Sequence, residues 1–509
     1  MKKLSFPSLR TDGLTLILGL GETGAAAALW CAQHGASLRV LDTRQQPGGL
    51  SALQAELDTT LVDYRLGPEA FTEAALAQVH TIVLSPGLSP LAEPVKSLLA
   101  LAATREIEVL GEVELFARAL ADLSTQGYTP RVLAVTGTNG KTTVTAMARQ
   151  LVEASGLTAR AAGNIGPAAL SALRDALAAD ALPDVWVLEL SSFQLETLSS
   201  LAADAAVVLN ISQDHLDWHG DLQAYVQAKA RLLSMTRLAI VNRDDPLVAG
   251  MVSTLSGLNV RSFGRGAPVL EGDLGLDNGN GMLWLAAAEN SDFDLPPPTS
   301  KRKKAAEPLP RGEGRISRLM PMDVLRIRGL HNALNALAAL ALARALGLGW
   351  ASMLTALGEY RGEPHRTYFV RNIGGVDFVD DSKGTNVGAT VAALDGMGAR
   401  IVLIAGGLGK GQDFTPLCKA VREHARAVIL IGQDAAQIEA ALAPSGVAVQ
   451  HAASMEAAVN AALAAAQAGD TVLLSPACAS MDMFKNYVHR GECFIEQVNE
   501  LALSRGEVA

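Results

Sequence analysis

Val135-Thr136-Gly137-Thr138-Asn139-Gly140-Lys141-Thr142-Thr143, VTGTNGKTT, closes an apolar run and opens a stretch with helical periodicity. In the usual phosphate loop four residues separate the two glycines ahead of Lys-Ser/Thr. Here only Thr138 and Asn139 stand between Gly137 and Gly140. The context nonetheless favours a phosphate cradle, because the strand-like RVLAVTG runs directly into the loop and TVTAMARQLVEA follows as a helix. Loop amides and the positive helix end then converge on one point. Lys141 would neutralise phosphate charge and the Thr142 hydroxyl would reach a metal ion. The alternative is a glycine turn with an exposed lysine.

Working outward, the same alternation of apolar runs and helical stretches recurs on both sides. LTLILG, AAAALWCAQHG, SLRVLD, HTIVLSPG and IEVLG precede the loop, and VWVLEL and AAVVLN follow it. Such βαβ alternation predicts mostly parallel sheets. Turn-forming residues gather at ADLSTQGYTPR, 121–131, and at GEYRGEPHR, 358–366. Beyond the second cluster, VDFVDD, RIVLIAGG, AVILIG and TVLLSP repeat the pattern. The fold class is therefore α/β in three domains: a Rossmann-like N-terminal domain (1–122), a central P-loop-type domain (123–361) and a C-terminal Rossmann-like domain (362–509). Within the central domain, residues 264–320 read as an inserted, solvated loop, since Gly, Asn and Pro accumulate there around PPPTSKRKKAAEPLPRGEG. Its basic run, Lys301 to Lys304, offers a polyanion patch as the second reading.

A chain of 509 residues is too long for one core, and three domains fit that length. The net charge of −10 argues against a nucleic-acid or membrane-surface binder. The four cysteines, Cys31, Cys418, Cys478 and Cys493, lack metal-ligand or disulfide spacing. No apolar run follows the basic opening MKKLSFPSLR, so a secretory signal is not expected, and a cytoplasmic protein without membrane insertion is.

Gly19-Leu20-Gly21-Glu22-Thr23-Gly24 follows a strand, opens a helix and precedes Asp42 at the next strand end. This matches a dinucleotide fingerprint, although any nucleotide diphosphate can use the geometry and a ligand-free turn is the plain alternative. Thr43 and Arg44 add a hydroxyl and a cation. Glu189, at the end of VWVLEL, is placed to hold Mg²⁺ beside phosphates, or is a solvated strand-end residue. His215 and His219, four apart, would share a helix face and raise zinc, but no third ligand follows at a convincing spacing. Lys229 lies on a helix as a metal-site group or a surface lysine. Asn332 and Asn335 offer the donor and acceptor that an adenine edge requires, unless Asn332 is a helix cap.

Taken together, GTNGKTT, GNIG, LELSSFQLE, NxxxDHLDxH, AYxxAK, RGLHNxxN, PHR, DDSKGTN, GGLGKGQDF and SPACASMDMF occur in the order found in the Mur ligases. The chain resembles that family along nearly its whole length, 264–320 excepted, and most resembles the branch that adds D-glutamate. The resemblance implies ATP-dependent amide-bond formation on a UDP-muramoyl substrate through an acyl phosphate, with ATP and two Mg²⁺ ions as cofactors and a monomer as the working unit. It implies that Gly137 to Thr143, Asn332, Asn335, Arg366, Asp381 and Lys383 bind ATP. Thr142, Glu189, His215 and a carbamylated Lys229 would hold metal, with Lys141, Glu189, His215 and Lys229 the catalytic set. Thr23, Asp42, Thr43, Arg44, Ser85, Gly87, Asn164, Ser191 and His215 would meet the UDP-substrate, and Thr385, Lys410, Ser480 and Tyr487 the D-glutamate. Two positions depart from the family: Tyr487 replaces a common Phe, and Tyr368 a common Glu, which leaves the support of Arg366 open.

Overall fold

Three sheets form in chain order, each built around apolar runs that are too short and too β-branched for buried helices. The structure, a computed structural model, describes residues 4–58, 62–253, 257–290 and 311–507. The first sheet has five parallel strands in the order Val62–Leu66, Ser37–Asp42, Leu14–Leu18, Val79–Leu84, Glu108–Leu110. Chain direction switches sides between Leu14–Leu18 and Val79–Leu84, and the crevice outside such a switch point is where doubly wound sheets take ligands. Gly19 to Gly24 and Ser85 lie there. The helix Glu112–Thr125 then carries the chain to the second sheet, running five residues into the stretch 121–131 that composition reads as linker.

The second sheet has nine strands, and Arg131–Thr136 sits between Ala205–Val208 and Val185–Glu189, both parallel to it. Their C-terminal ends therefore meet at one edge, with Val135 opposite Glu189. The third sheet has six strands, parallel except for the antiparallel pair Tyr368–Ile373 and Val376–Asp380. Interleaved helices cover the sheets, and Leu330–Ala345 and Lys141–Ala154 pack against each other over the central one.

One expectation is overturned. Residues 264–320 are not a loop throughout: Leu274–Gly279, Met282–Glu289 and Arg315–Pro321 are antiparallel strands extending the central sheet. Leu274, Leu276, Leu285, Ala287 and Met320 are buried in the central core. The missed signal was local. Asn280 and Gly281 both have positive φ, 57° and 83°, as a two-residue hairpin turn requires, and Asn-Gly is the strongest short hairpin signal. The basic run Lys301–Lys304 lies outside the described residues.

Glu289 pairs with Arg315 across the ladder, so the strands flanking residues 290–314 are adjacent antiparallel neighbours that a short connection can join. Glu289 also ties this corner to the domain, accepting from Ser317 Oγ at 3.0 Å and Trp350 Nε1 at 2.6 Å. Replacing residues 291–310 with a short Gly/Ser connector is expected to leave turnover within about twofold and Tm within a few degrees, because loop closure depends weakly on length. A large loss of turnover with folding preserved would refute this.

Candidate active site

The loop Gly137 to Gly140 turns because its glycines take conformations that side chains resist. Gly140, at φ 84°, caps the helix Lys141–Ala154, and a Cβ there would lie 2.5 Å from Asn335 Oδ1. A Cβ on Gly137 would meet Leu209 Cβ at 2.9 Å. The loop is braced from outside: Asn139 N donates to Asn210 Oδ1 at 2.8 Å, and Thr138 Oγ1 lies 3.0 Å from Tyr225 OH. Lys141 folds back over the loop, its Nζ donating to Gly137 O at 2.9 Å and Thr138 O at 2.8 Å. Burial lowers its pKa, which Glu189 and Asp214 partly oppose. This cation and the positive end of the helix Lys141–Ala154 meet at the cavity, which suits an anion.

Glu189 is buried beside the loop. Its Oε1 accepts from Asn164 Nδ2 at 2.8 Å, while Oε2 has no partner. An unpaired buried carboxylate oxygen is costly and suits a hard cation. Lys229 is 1% exposed. Its Nζ donates to Gly137 O at 2.9 Å and lies 4.7 Å from the centre of the Tyr225 ring. Burial, and then the nearby Lys141 charge, push its pKa well below the usual lysine value. This is not a surface lysine. It lies beneath the loop rather than on the cavity wall.

His215 lines the cavity in a left-handed conformation, φ 54°, and burial lowers its pKa, so the ring is poised neutral. His219 does not join it. It lies 2.9 Å from Ser192 Oγ, buried, with its pKa lowered to about 4 chiefly by burial. Among the described residues no group of three or more His, Cys, Asp or Glu side chains is gathered for a metal, so the zinc reading falls. Mg²⁺ needs no such cage, since one or two carboxylates with substrate phosphates and water hold it.

The main cavity, about 660 Å³, lies between the central and third domains. Thr138 to Thr142, Asn164, Glu189 and His215 face Arg366, Lys383, Thr385, Lys410 and Tyr487 across it. Arg366 donates to Thr142 Oγ1, and this contact supplies support that Tyr368 does not, being exposed on the outer edge strand. Lys383 Nζ sits 3.8 Å from the centre of the Tyr487 ring, and burial lowers its pKa to about 8. Ser480 is buried behind the wall, where its half-buried neighbour Ala479 is the residue that lines the cavity, so its place among the D-glutamate contacts is not supported.

A second cavity, about 250 Å³, opens from the loop. Asn332, Asn335, Thr143, Asp381 and Lys383 line it together with Leu209, Phe263 and Ala392. Asn335 Nδ2 donates to Asn332 Oδ1 at 3.2 Å, and Asn332 Nδ2 to Arg328 O at 2.8 Å. Gly329 is the helix cap, so Asn332 is not needed for that role. Burial raises the Asp381 pKa to about 7, against hydrogen bonds from Ser475 Oγ and Thr367 N.

In the first domain, Asp42 accepts from Leu20 N at 2.7 Å and pairs with Arg44 at 2.8 Å. The pair spans the glycine turn. A Cβ on Gly24 would sit 2.0 Å from Gly19 O, which fixes the helix Glu22–Gln33 against its strand. Thr23 and Ser85 share a small cavity with Glu112, Phe193, Gln194 and Trp218 where the first two domains meet. Thr43 is half-buried and Gly87 exposed and open. Ser191 departs from expectation: it caps the short helix Ser192–Glu196, bonded reciprocally with Gln194, and lines neither large cavity. This local use was readable, since Ser-x-x-Gln is a capping box.

Sequence reasoning missed the contacts that join domains. Asn139 and Asn386 exchange amide hydrogen bonds at 3.2 and 3.1 Å, and Asn386 Nδ2 also reaches Asp214 Oδ2 at 3.3 Å. It missed, too, the buried pair His365 Nδ1–Asp380 Oδ2 at 2.6 Å, in which Asp380 raises the His365 pKa against burial.

Comparison with known proteins agrees with this geometry. Residues 14–111 match the Mur ligase MurD-like N-terminal domain, 135–282 the Mur ligase middle domain and 365–478 the Mur ligase glutamate ligase domain. The middle-domain match reaches into the segment read as an insertion. The chain is 67% identical over 97% of both chains to the UDP-N-acetylmuramoylalanine–D-glutamate ligase of Bordetella avium. It is 53% identical, over 98% of both, to that of Paraburkholderia phymatum. Among solved structures it shares its fold with MurF ligase from Thermotoga maritima in complex with ADP: TM-score 0.56, 16% identity, covering 99% of this chain and 97% of that one. MurC from the same organism gives 0.55 at 17% identity, covering 96% of this chain and all of that one. The phosphate loop with Lys141, the facing third domain and these full-length likenesses establish that the chain belongs to the Mur ligase family.

Proposed function

We propose that the chain joins D-glutamate to UDP-N-acetylmuramoyl-L-alanine at the expense of ATP, a step in making peptidoglycan precursors. The carrying observation is the 660 Å³ cleft in which the phosphate loop and Glu189 face Thr385 and Lys410 of the third domain. The chemistry needs that opposition. A carboxylate is a poor electrophile, so its oxygen attacks the γ-phosphorus of ATP, releasing ADP and leaving an acyl phosphate. The D-glutamate amine then adds to the acyl carbon, the tetrahedral species expels phosphate, and the amine loses a proton. Positioning and charge stabilisation supply the rate, without a covalent enzyme nucleophile.

Lys141 and Arg366 would neutralise phosphate charge, and Asn332 and Asn335 would read adenine in the 250 Å³ cavity. Thr385, Lys410 and Tyr487 would hold D-glutamate. Asn164 and neutral His215 would meet the muramoyl end, and Thr23, Ser85, Asp42 and Arg44 the UDP. The unpaired Glu189 Oε2 fits a divalent cation, with Thr142, His215 and a carbamate on Lys229 completing two Mg²⁺ sites. Mg²⁺, when bound, neutralises phosphate charge. A reaction that consumes ATP and a nucleotide-linked substrate would run in the cytoplasm, and one chain carries every side chain named, so a monomer would suffice. Phosphate release from ATP, measured with UDP-N-acetylmuramoyl-L-alanine and a panel of D- and L-amino acids, tests the reading. Release driven equally by L-glutamate or a diamino acid would sink it.

Lys383 gives a pH signature. With a pKa of about 8 it is protonated at neutral pH and loses its charge as pH rises. The loss removes a cation from the phosphate site of free enzyme, the form that kcat/KM reports. The ratio kcat/KM for ATP should therefore fall above about pH 8, and Lys383→Arg should move that fall to higher pH. An unchanged profile in the variant would exclude Lys383 as its source.

A further inference from the structure

We propose that Arg265 is a further determinant of ATP affinity, forming the outer wall of the base cavity with its guanidinium packed against the purine. The proposal rests on reading that cavity as the adenine site. Three observations carry it. Arg265, with Asn242 and Leu334, lines both the 250 Å³ cavity and a shallow outer groove that Ile211 and Asp244 also form, so it stands at the boundary between them and, among the described residues, is the one cation there. Its backbone is held in place: Arg265 N donates to Asp244 Oδ2 at 2.6 Å, Arg243 Nη1 to Leu274 O at 2.7 Å, and Arg243 Nη2 to Gly266 O. Its side chain is uncommitted. Among the described residues the guanidinium has no hydrogen-bond or ion-pair partner, whereas Arg243 and Arg366 nearby are both engaged.

The cavity's chemistry leaves this role open. Asn332 and Asn335 offer amides to a base edge, while Leu209 and Ala392 present apolar surface. Phe263 also lines it, but the ring is 1% exposed and belongs to the core. His331 lines it as well, with Nε2 3.4 Å from Thr367 Oγ1, but among the described residues no Phe, Tyr or Trp stands free to cover the outer face of a base. A planar guanidinium stacks on such a face and is more weakly hydrated than an ammonium, so arginine suits the position and lysine does not.

The test compares Arg265→Ala, Arg265→Lys and Asn335→Ala in the full-length enzyme, all checked for an unchanged Tm. An exposed cation–π contact corresponds to about a two- to fivefold change in affinity. Arg265→Ala is therefore expected to raise KM for ATP and the inhibition constants of ADP and adenosine by that same factor, with kcat and the other two KM values little changed. Arg265→Lys should behave like Arg265→Ala. Adenosine carries no phosphate, so weakening of ADP without weakening of adenosine would mean a phosphate contact and overturn the proposal. Arg265→Ala binding both ligands like wild type, while Asn335→Ala weakens them, would overturn it and leave the base cavity standing. Unchanged binding in Asn335→Ala as well would bring down the reading of the cavity itself. A general rise of all three KM values with a lowered Tm would assign Arg265 a merely structural part, again against the proposal.

Discussion

Lys229→Ala is expected to lower phosphate release by about 100-fold or more, and the cause is a missing anion rather than a missing cation. At an ordinary pKa near 10.4 a lysine is an ammonium at neutral pH. Lys229 cannot comfortably be one, because it is buried beneath the phosphate loop beside Lys141 and bonded to the Gly137 carbonyl, and among the described residues no carboxylate is bonded to it. Desolvation and like charge both favour the free amine. A free amine adds to CO₂, forming an N–C bond and releasing one proton, and the product is an anion with two oxygen donors. That group suits Mg²⁺ where an ammonium would repel it. Enzyme loaded with ¹³CO₂ should show a carbamate carbon signal that Lys229→Ala lacks, and degassed enzyme should regain turnover on adding bicarbonate. Near-normal turnover in Lys229→Ala, with no such signal in wild type, would remove the second metal site.

Lys141→Ala is expected to reduce phosphate release by two to three orders of magnitude while leaving the affinity for UDP-N-acetylmuramoyl-L-alanine within about twofold. The split follows from the architecture. Among the described residues Lys141 Nζ donates hydrogen bonds only within its own loop, to Gly137 O and Thr138 O, whereas the glycine turn with Asp42 and Arg44 belongs to a different sheet. Truncation frees the Thr138 carbonyl beside the open cavity, while Gly137 O keeps its bond from Lys229 Nζ at 2.9 Å, so folding should survive. Isothermal calorimetry with the UDP-substrate and a phosphate assay separate the two effects. Equal loss in both would show that one site, not two, takes the nucleotides.

What could be read without coordinates was whatever a short stretch of chain determines by itself. The strand into Gly137, the helix after Gly140 and the apolar runs of all three sheets follow from periodicity and glycine placement. The hairpin at Asn280-Gly281 was equally local and was missed because the Pro-rich neighbourhood outweighed it. Ser191 shows the reverse case, a residue singled out for a family role whose side chain is engaged in capping its own helix. Other features were not legible in principle. Asn139 and Asn386 are 247 residues apart, and nothing in either neighbourhood specifies the other. Arg265 is one exposed arginine among many until the cavity behind it is seen.

That amide pair has a consequence for economy of fuel. An acyl phosphate reached by water before the amine is lost as carboxylate and phosphate, and an ATP is wasted. The clasp between the loop and the third domain includes two neutral amide hydrogen bonds, each of about 1 kcal/mol net, which by themselves bias shutting by about thirtyfold, beside the contacts of Asn386 with Asp214 and of Arg366 with Thr142. A latch of that strength would be firm enough to keep out water during one chemical cycle and weak enough to let ADP leave after it. Thrift and speed thus draw on the same two side chains: a tighter clasp would save ATP by slowing release, and a looser one would run faster while leaking.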